Sequence, residues 1–211
     1  MGALGQTSLP SAALVDSNGI VVWIGHPGNL TDDVIEKHLE GALTTPSWSW
    51  PDSTKALKAA LRKNELAKAQ AEAAKLAANG DELLVKIEAA VKALTAGKAK
   101  AIQSTADRGD FLGAERLADL LGKGFKGLPE EVQLGECLTK MKADPLYKKV
   151  IKAQRSLAKI ESEMPKLTRA KKIDEALDAI KKATSDVPGT YAADAGDKLA
   201  ATLEKRKESL K

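Results

Sequence analysis

The sequence has a single cysteine, Cys137, and aromatic residues make up only 3% of its 211 positions. One thiol cannot form an intramolecular disulfide, and it cannot supply the pair of thiols that thiol–disulfide exchange requires. This cysteine usage fits either a reducing compartment or an exported protein that does without disulfides. Because Cys137 falls on the apolar side of a predicted helix, we expect a buried small side chain there; an exposed thiol could instead form an intermolecular disulfide.

Long hydrophobic runs are also missing. No stretch of about 18 apolar residues occurs that would span a bilayer, and no basic segment followed by an apolar one comes after Met1. We therefore expect neither a membrane span nor a signal peptide in the sequence as written. This predicts a cytoplasmic chain, whereas a piece of an exported protein would be periplasmic or otherwise extracytoplasmic.

Positive charge is in slight excess, with a formal net charge of +4 and a pI of about 9.0. The lysines are spread along the sequence, and the few aromatic residues do not alternate with them as they do in typical nucleic-acid sites. We interpret the lysines as solvated helix faces, and we expect no nucleic-acid partner and no membrane partner.

Apolar residues after residue 55 recur at spacings of three and four, which is typical of amphipathic helices. Much of this apolar content is alanine, which buries little area per residue, so we expect a thin core of closely packed helices. The predicted helices run from Asp52 or Ser53 to Ala78, from Asp81 to Thr105, from Asp110 to Gly122, from Pro129 past Met141, from Pro145 to Met164, from Thr168 to Asp186, and from Thr190 onwards.

Residues 46–54 are interpreted as a linker, because Pro46 and Pro51 disfavour helix in the residues before them. Trp48 and Trp50 are expected to pin this linker onto a neighbouring core; a ligand-stacking platform is the alternative. The predicted organisation is a β-β-α segment over residues 1–45, a linker over 46–54 and an all-α domain over 55–211.

The segment from Leu9 to Pro27 reads LPSAALVDSNGIVVWIGHP. It predicts a hairpin of Ala12 to Val15 and Ile20 to Ile24 around a tight Ser17-Asn18-Gly19 turn. A helix is then expected from Thr31, with Asp32 and Asp33 favourable in its first turn. The apolar positions of that helix are Val34, Ile35, Leu39 and Leu43.

This segment resembles the carboxy-terminal half of thioredoxin-like redoxins and disulfide reductases. The resemblance implies that Pro10 stands at the family's cis-proline position, and that Pro10, Asp16 and Gly19 have structural roles. The family's Cys-x-x-Cys belongs to the upstream half, and only nine residues precede Pro10. We therefore expect the fold of the matched segment without its dithiol activity. The alternative is that the chain is a fragment of a thiol-disulfide oxidoreductase.

The later helices are similar to tetratricopeptide-like extensions that follow redoxin domains in some bacterial proteins. The similar stretches read GDFLGAERLADLLGKG and IDEALDAIKKATSDVPGTYAADAGDKLAATLEK. No strict period of about 34 residues emerges, so we expect an irregular array. The expected fold class is α+β, predominantly α: a truncated thioredoxin-like hairpin plus helix, followed by an antiparallel helical array. Such an array either binds a protein partner along a groove or serves only as a packing domain.

Histidines and carboxylates concentrate near the hairpin and are the candidate catalytic or metal residues. A metal-assisted hydrolase of small esters or lactones would need imidazole and carboxylates to converge on one point. The Asp16-x-Asn18-Gly19 spacing is also that of the start of a calcium loop, without the glutamate that closes one. The alternative gives these residues turn and capping roles, with no cofactor or divalent cation. The candidates are His26, His38, Asp16, Asn18, Asp32 and Asp33.

The leading hypothesis is a non-catalytic, redoxin-derived protein whose helical array mediates association. A two-stranded hairpin has an open edge, which another strand can pair with. We therefore expect a homodimer in which the Ala12–Val15 strands of two copies join into one four-stranded sheet across a two-fold axis.

Overall fold

The structure is a computed structural model that describes residues 12–16, 21–39 and 47–210, without the side chain of Trp48. Helices dominate the described residues and one small antiparallel sheet accompanies them, which confirms the predicted predominantly α, α+β class. The strands are β1 (Ala12–Val15) and β2 (Val21–Gly25). The helices are α1 (Asp32–Glu36), α2 (Lys55–Arg62), α3 (Leu66–Ala77), α4 (Glu82–Asp107), α5 (Phe111–Leu121), α6 (Pro129–Ala143), α7 (Tyr147–Glu163), α8 (Ala170–Thr184) and α9 (Tyr191–Glu208).

The predicted hairpin forms, with β1 over the predicted residues and β2 from Val21 to Gly25. Ile20, the predicted first residue of the second strand, lies outside the described residues. Leu14 lies opposite Trp23 and Val15 lies opposite Val21, so Val22 is an extra residue in β2 and the ladder has a bulge there. The predicted turn residues 17–19 and Pro10 lie outside the described residues. The match to a thioredoxin-type hairpin therefore stays a prediction.

The helix after the hairpin is shorter than predicted. It begins after Thr31 as expected, but the Thr31 side chain makes no capping hydrogen bond, and α1 ends at Glu36. The Lys37 amide still donates to the Asp33 carbonyl four residues back, but the His38 and Leu39 amides bond only three residues back. Leu39 is 51% exposed. A helix of one turn has few hydrogen bonds to offset the cost of nucleation. Leu43 lies outside the described residues.

The chain divides into two compact units. The first unit comprises residues 1–101 and 118–134, and the second comprises residues 102–117 and 135–211. Helices α4, α5 and α6 contribute residues to both. The division at 46–54 that the sequence suggested stays a prediction.

The core of the first unit combines alanines with larger apolar side chains, most of them from α2, α3 and α4. Trp50 is 4% exposed and joins this core, as predicted for a residue that pins the linker. Gly80, at φ +74°, ends the turn between α3 and α4 in the left-handed conformation that glycine favours. The buried members are Trp50, Leu57, Ala60, Ala69, Ala73, Ile87 and Val91.

The prediction of a single helix from Asp52 to Ala78 is wrong, because the helix is interrupted between α2 and α3. Asn64 adopts a left-handed φ of +55°, which ends α2 and restarts the helix at Leu66. The Asn64 carbonyl lies against Gly124, where a Cβ atom would stand 2.0 Å from its oxygen. A glycine some sixty residues later therefore makes room for this break.

The second unit contains two buried clusters. One gathers residues of α4, α5, α6, α7 and α9 around Phe111 and Val150. The other joins α7, α8 and α9 around Leu157, Ile173 and Leu203. At Gly196 of α9, a Cβ atom would lie 2.6 Å from a Thr184 methyl, so α8 and α9 approach closely there. None of the helices in the described ranges is both long enough and apolar enough to cross a membrane.

Candidate functional site

The hairpin-end residues make local contacts. His26 is exposed and caps the short 3-10 turn Pro27–Asn29, where its Nδ1 accepts a hydrogen bond from the Gly28 N–H at 3.1 Å. Asp32 and Asp33 are exposed in the first turn of α1, and His38 is partly buried just beyond it. The contact that the structure gives His26 is the capping contact expected from the turn interpretation.

Asp16 lies near a lysine of α4. Burial lowers the pKa of the Lys98 ammonium, and the Asp16 carboxylate acts in the opposite direction. Asn18 lies outside the described residues. Across residues 12–16, 21–39 and 47–210, no three His, Cys, Asp or Glu side chains group as metal ligands.

Cys137 lies on α6, partly buried, and packs against the cluster that contains Phe111. Burial raises the pKa of its thiol; Asp107 adds to the rise and Lys140 opposes it. A thiol with a raised pKa stays protonated at neutral pH, and the protonated form is a poor nucleophile.

Helix α7 carries a row of basic side chains on one face. Lys148, Lys152, Arg155 and Lys159 follow one another at spacings of four, three and four, which places them along one helix face. All four are exposed, whereas Val150, Ile151, Ala153, Gln154 and Leu157 of the same helix are buried. Helix α7 is therefore amphipathic, with a cationic outer face.

Gln154 fixes the rotation of α7 about its axis. Its side chain is 6% exposed, and it is one of few buried polar groups in the described residues. The amide oxygen accepts a hydrogen bond from the Leu112 N–H at 2.8 Å, and the amide nitrogen donates to the Gly109 carbonyl at 2.9 Å. The first bond satisfies an amide at the start of α5, and the second satisfies a carbonyl in the turn before it, from a helix more than forty residues away.

Glu115 of α5 makes a second polar connection to α7. The Tyr147 hydroxyl donates a hydrogen bond to the Glu115 carboxylate, and the Arg155 guanidinium lies 3.5 Å from the same group. Burial, followed by the hydrogen bond to Glu115, raises the pKa of Tyr147 to about 12. The Tyr147 ring also lies 5.7 Å from the Phe111 ring, centroid to centroid. The Tyr147 hydroxyl is thus neutral at physiological pH, and its proton is already donated in a hydrogen bond to Glu115.

A groove of about 870 Å³ runs between α7 and α8, and we call it the basic groove. Five lysines and two carboxylates line it, together with serines and small apolar side chains. None of these five lysines forms an ion pair with the described residues. The lining residues are Lys148, Lys149, Lys152, Ala153, Ser156, Lys159, Ile160, Glu163, Ala179, Lys182, Ala183, Ser185 and Asp186.

A second concavity, of about 510 Å³, lies on the other side of the same lysines. It shares Lys148, Lys152, Ser156 and Lys159 with the basic groove, and it adds Tyr147, Ile151 and Arg155. The cationic face of α7 is therefore a ridge with a depression on each side. A ligand seated in either depression meets the same lysines.

The first unit has a smaller basic depression, of about 360 Å³, on α2. Its lysines have partners within the chain: Lys58 donates to the Trp50 carbonyl at 3.3 Å, and Lys55 lies 3.9 Å from Asp52. The basic groove of α7 and α8 differs because its lysines lack such partners among the described residues.

Sequence reasoning missed the basic groove, although its signal was present. The spacing of Lys148, Lys152, Arg155 and Lys159 shows a one-sided cationic stripe on a helix. We interpreted it as solvated surface because the sequence did not indicate that Ala153, Ala179 and Ala183 would line a groove beside it.

No protein-family model, curated protein or solved structure matches this chain. Its similarity to thioredoxin-like redoxins and to tetratricopeptide-like arrays therefore stays a prediction from the residues quoted above.

Proposed function

We propose that the chain is a non-catalytic binding protein whose helical array holds a protein partner in the basic groove. The observation that carries the proposal is the groove itself: an open channel with an apolar floor, lined by five exposed lysines without ion-pair partners in the described residues. Holding like charges together has a cost that an anionic partner relieves. A partner with complementary negative charge would be steered to these lysines and held in register by them.

The proposal includes the absence of dithiol redox activity. Thiol exchange uses an attacking thiolate and a second thiol to resolve the mixed disulfide. The chain contains one cysteine, and burial raises the pKa of its thiol. In this proposal, the hairpin that resembles a redoxin segment has a structural role and no redox role.

A specific observation favours homodimerisation as well. Strand β1 pairs with β2 and, within the described residues, with no other strand. Val15 is 51% exposed, Val21 42% and Ile24 36%, so the hairpin leaves β-branched surface open to solvent. We propose that the β1 strands of two copies pair across a two-fold axis, because a two-stranded hairpin is marginal alone.

The binding proposal is tested by photo-crosslinking in cells from a benzoylphenylalanine placed at Ser156, which lines the basic groove. We expect a discrete crosslinked protein from this position and none from the exposed Thr202 of α9, which is the matched control. Adding Lys152→Glu and Lys159→Glu should remove the crosslink by reversing the charge beside the probe. Equal capture from both positions, or capture that survives charge reversal, contradicts the proposal.

Insulin reduction by dithiothreitol tests the redox part. We expect the same rate with the chain as without it, because Cys137 has no second thiol within the chain to resolve a mixed disulfide. The Cys137→Ser variant should behave identically. A faster rate with the chain, lost in Cys137→Ser, would show that the lone thiol is catalytic after all.

Sedimentation equilibrium at micromolar concentration tests the dimer. One chain has a mass of 22.3 kDa, and we expect about twice that mass because two β1 edges satisfy each other's hydrogen bonds. Nuclear magnetic resonance of the same sample reports whether β1 and β2 are ordered. A monomeric mass with an ordered hairpin would rule the dimer out.

A further inference from the structure

The floor of the basic groove consists of small side chains. Ala153 of α7 and Ala179 and Ala183 of α8 line it, and Ile160 adds one larger apolar group. Alanines let a neighbouring backbone come close, as in closely packed helix pairs. A floor of this kind suits a helix that presents apolar residues to it more than an extended chain with bulky side chains.

The length of the groove also fits a helix. From Lys148 to Lys159 the cationic face of α7 extends over three turns, which is about 16 Å at the rise of an α-helix. A small anion would contact one or two of these lysines and leave the others without a counter-charge. An occupant of about three helical turns reaches all of them.

The excess of lysines in the lining of the basic groove favours a negatively charged ligand. Lys148, Lys152 and Lys159 stand along α7, and Lys182 stands on α8. The carboxylates of Glu163 and Asp186 are outnumbered. An occupant with acidic residues flanking a narrow apolar stripe would place its carboxylates near these ammonium groups and its apolar side chains on the alanines.

We propose that the basic groove binds an acidic amphipathic helix of a partner protein. This inference rests on the proposed function, since it names the chemistry of the partner at the same site. Apolar contact with Ala153, Ala179, Ala183 and Ile160 provides affinity. Carboxylates facing the lysines provide selectivity and speed association.

The lining favours a protein over a nucleic acid. Single-stranded nucleic acids are held by aromatic side chains on which bases stack, together with basic residues that follow the backbone. Among the described residues, no aromatic side chain lines the basic groove. Tyr147 lines the adjoining depression, and its hydroxyl already donates a hydrogen bond to Glu115.

The test is fluorescence anisotropy with the full chain and a labelled synthetic peptide of about 15 residues, enough for the three turns of the groove plus frayed ends. The peptide carries a leucine and alanine stripe flanked by glutamates. We expect binding that weakens about tenfold or more between low and high salt, because screening removes the attraction between exposed charges. A scrambled peptide of the same composition should bind at least about tenfold more weakly, because its apolar residues no longer share one face.

Charge reversal locates the binding. Lys152→Glu with Lys159→Glu should weaken binding about tenfold or more, since two attractions become repulsions. Lys171→Glu with Lys198→Glu is the matched control: it changes the net charge equally at exposed lysines outside the groove and should change binding by less than about threefold. Ala179→Phe fills the exposed floor without changing charge and should also weaken binding.

Several outcomes would overturn the inference. Equal binding of the scrambled peptide or of polyglutamate would show a general polyanion surface, and tighter binding of a single-stranded oligonucleotide would show a nucleic-acid site. Failure of the amphipathic peptide alongside a groove-specific crosslink from Ser156 would refute the acidic helix and leave the binding function standing. Failure of both experiments would refute both.

Discussion

The side-chain amide of Gln154 is the interaction on which the second unit most depends. It is buried, and it satisfies one backbone donor and one backbone acceptor around the start of α5, at Leu112 and Gly109. Removing the amide would leave two partly buried backbone groups without these partners. The cost is at most about 1–3 kcal/mol each, the value for fully buried groups. A change of that size is a large part of the stability of a small domain.

The orientation of α7 follows from this constraint. Once Gln154 points inward, helical periodicity places Val150 and Leu157 inward as well and sends Lys148, Lys152 and Lys159 outward. Glu115 supports the same arrangement through Tyr147 and Arg155, but those contacts are more exposed and contribute less. The exposed cationic face of α7 is thus a consequence of how the opposite face of the helix is buried.

The many alanines affect packing elsewhere in the molecule. Alanines occupy many of the buried positions. Glycine is needed at two close approaches: Gly124 faces the break between α2 and α3, and Gly196 of α9 faces α8. The same alanines make a groove floor when they reach the surface, as Ala179 and Ala183 do. The composition that predicts a thin core therefore also explains a shallow, open site.

Local features of the fold could be predicted from the sequence, whereas features that depend on distant residues could not. The period of Leu84, Ile87 and Val91 indicated α4, and Gly80 indicated the turn before it. The break at Asn64 was missed because the space it uses is opened by Gly124, far along the chain. Likewise, the stripe on α7 was visible in sequence, but its neighbour α8 was needed to make it a groove.

Hydrogen exchange at the Leu112 amide tests the central claim most directly. Leu112 is the second residue of α5, where an amide has no partner within its own helix and normally exchanges fast. The Gln154 bond predicts slow exchange in the unaltered chain and fast exchange in Gln154→Met. The Gly113 amide, which donates to Asp110 at 3.0 Å, should keep its rate in both. Fast exchange of Leu112 in the unaltered chain, or no change on substitution, would contradict the account.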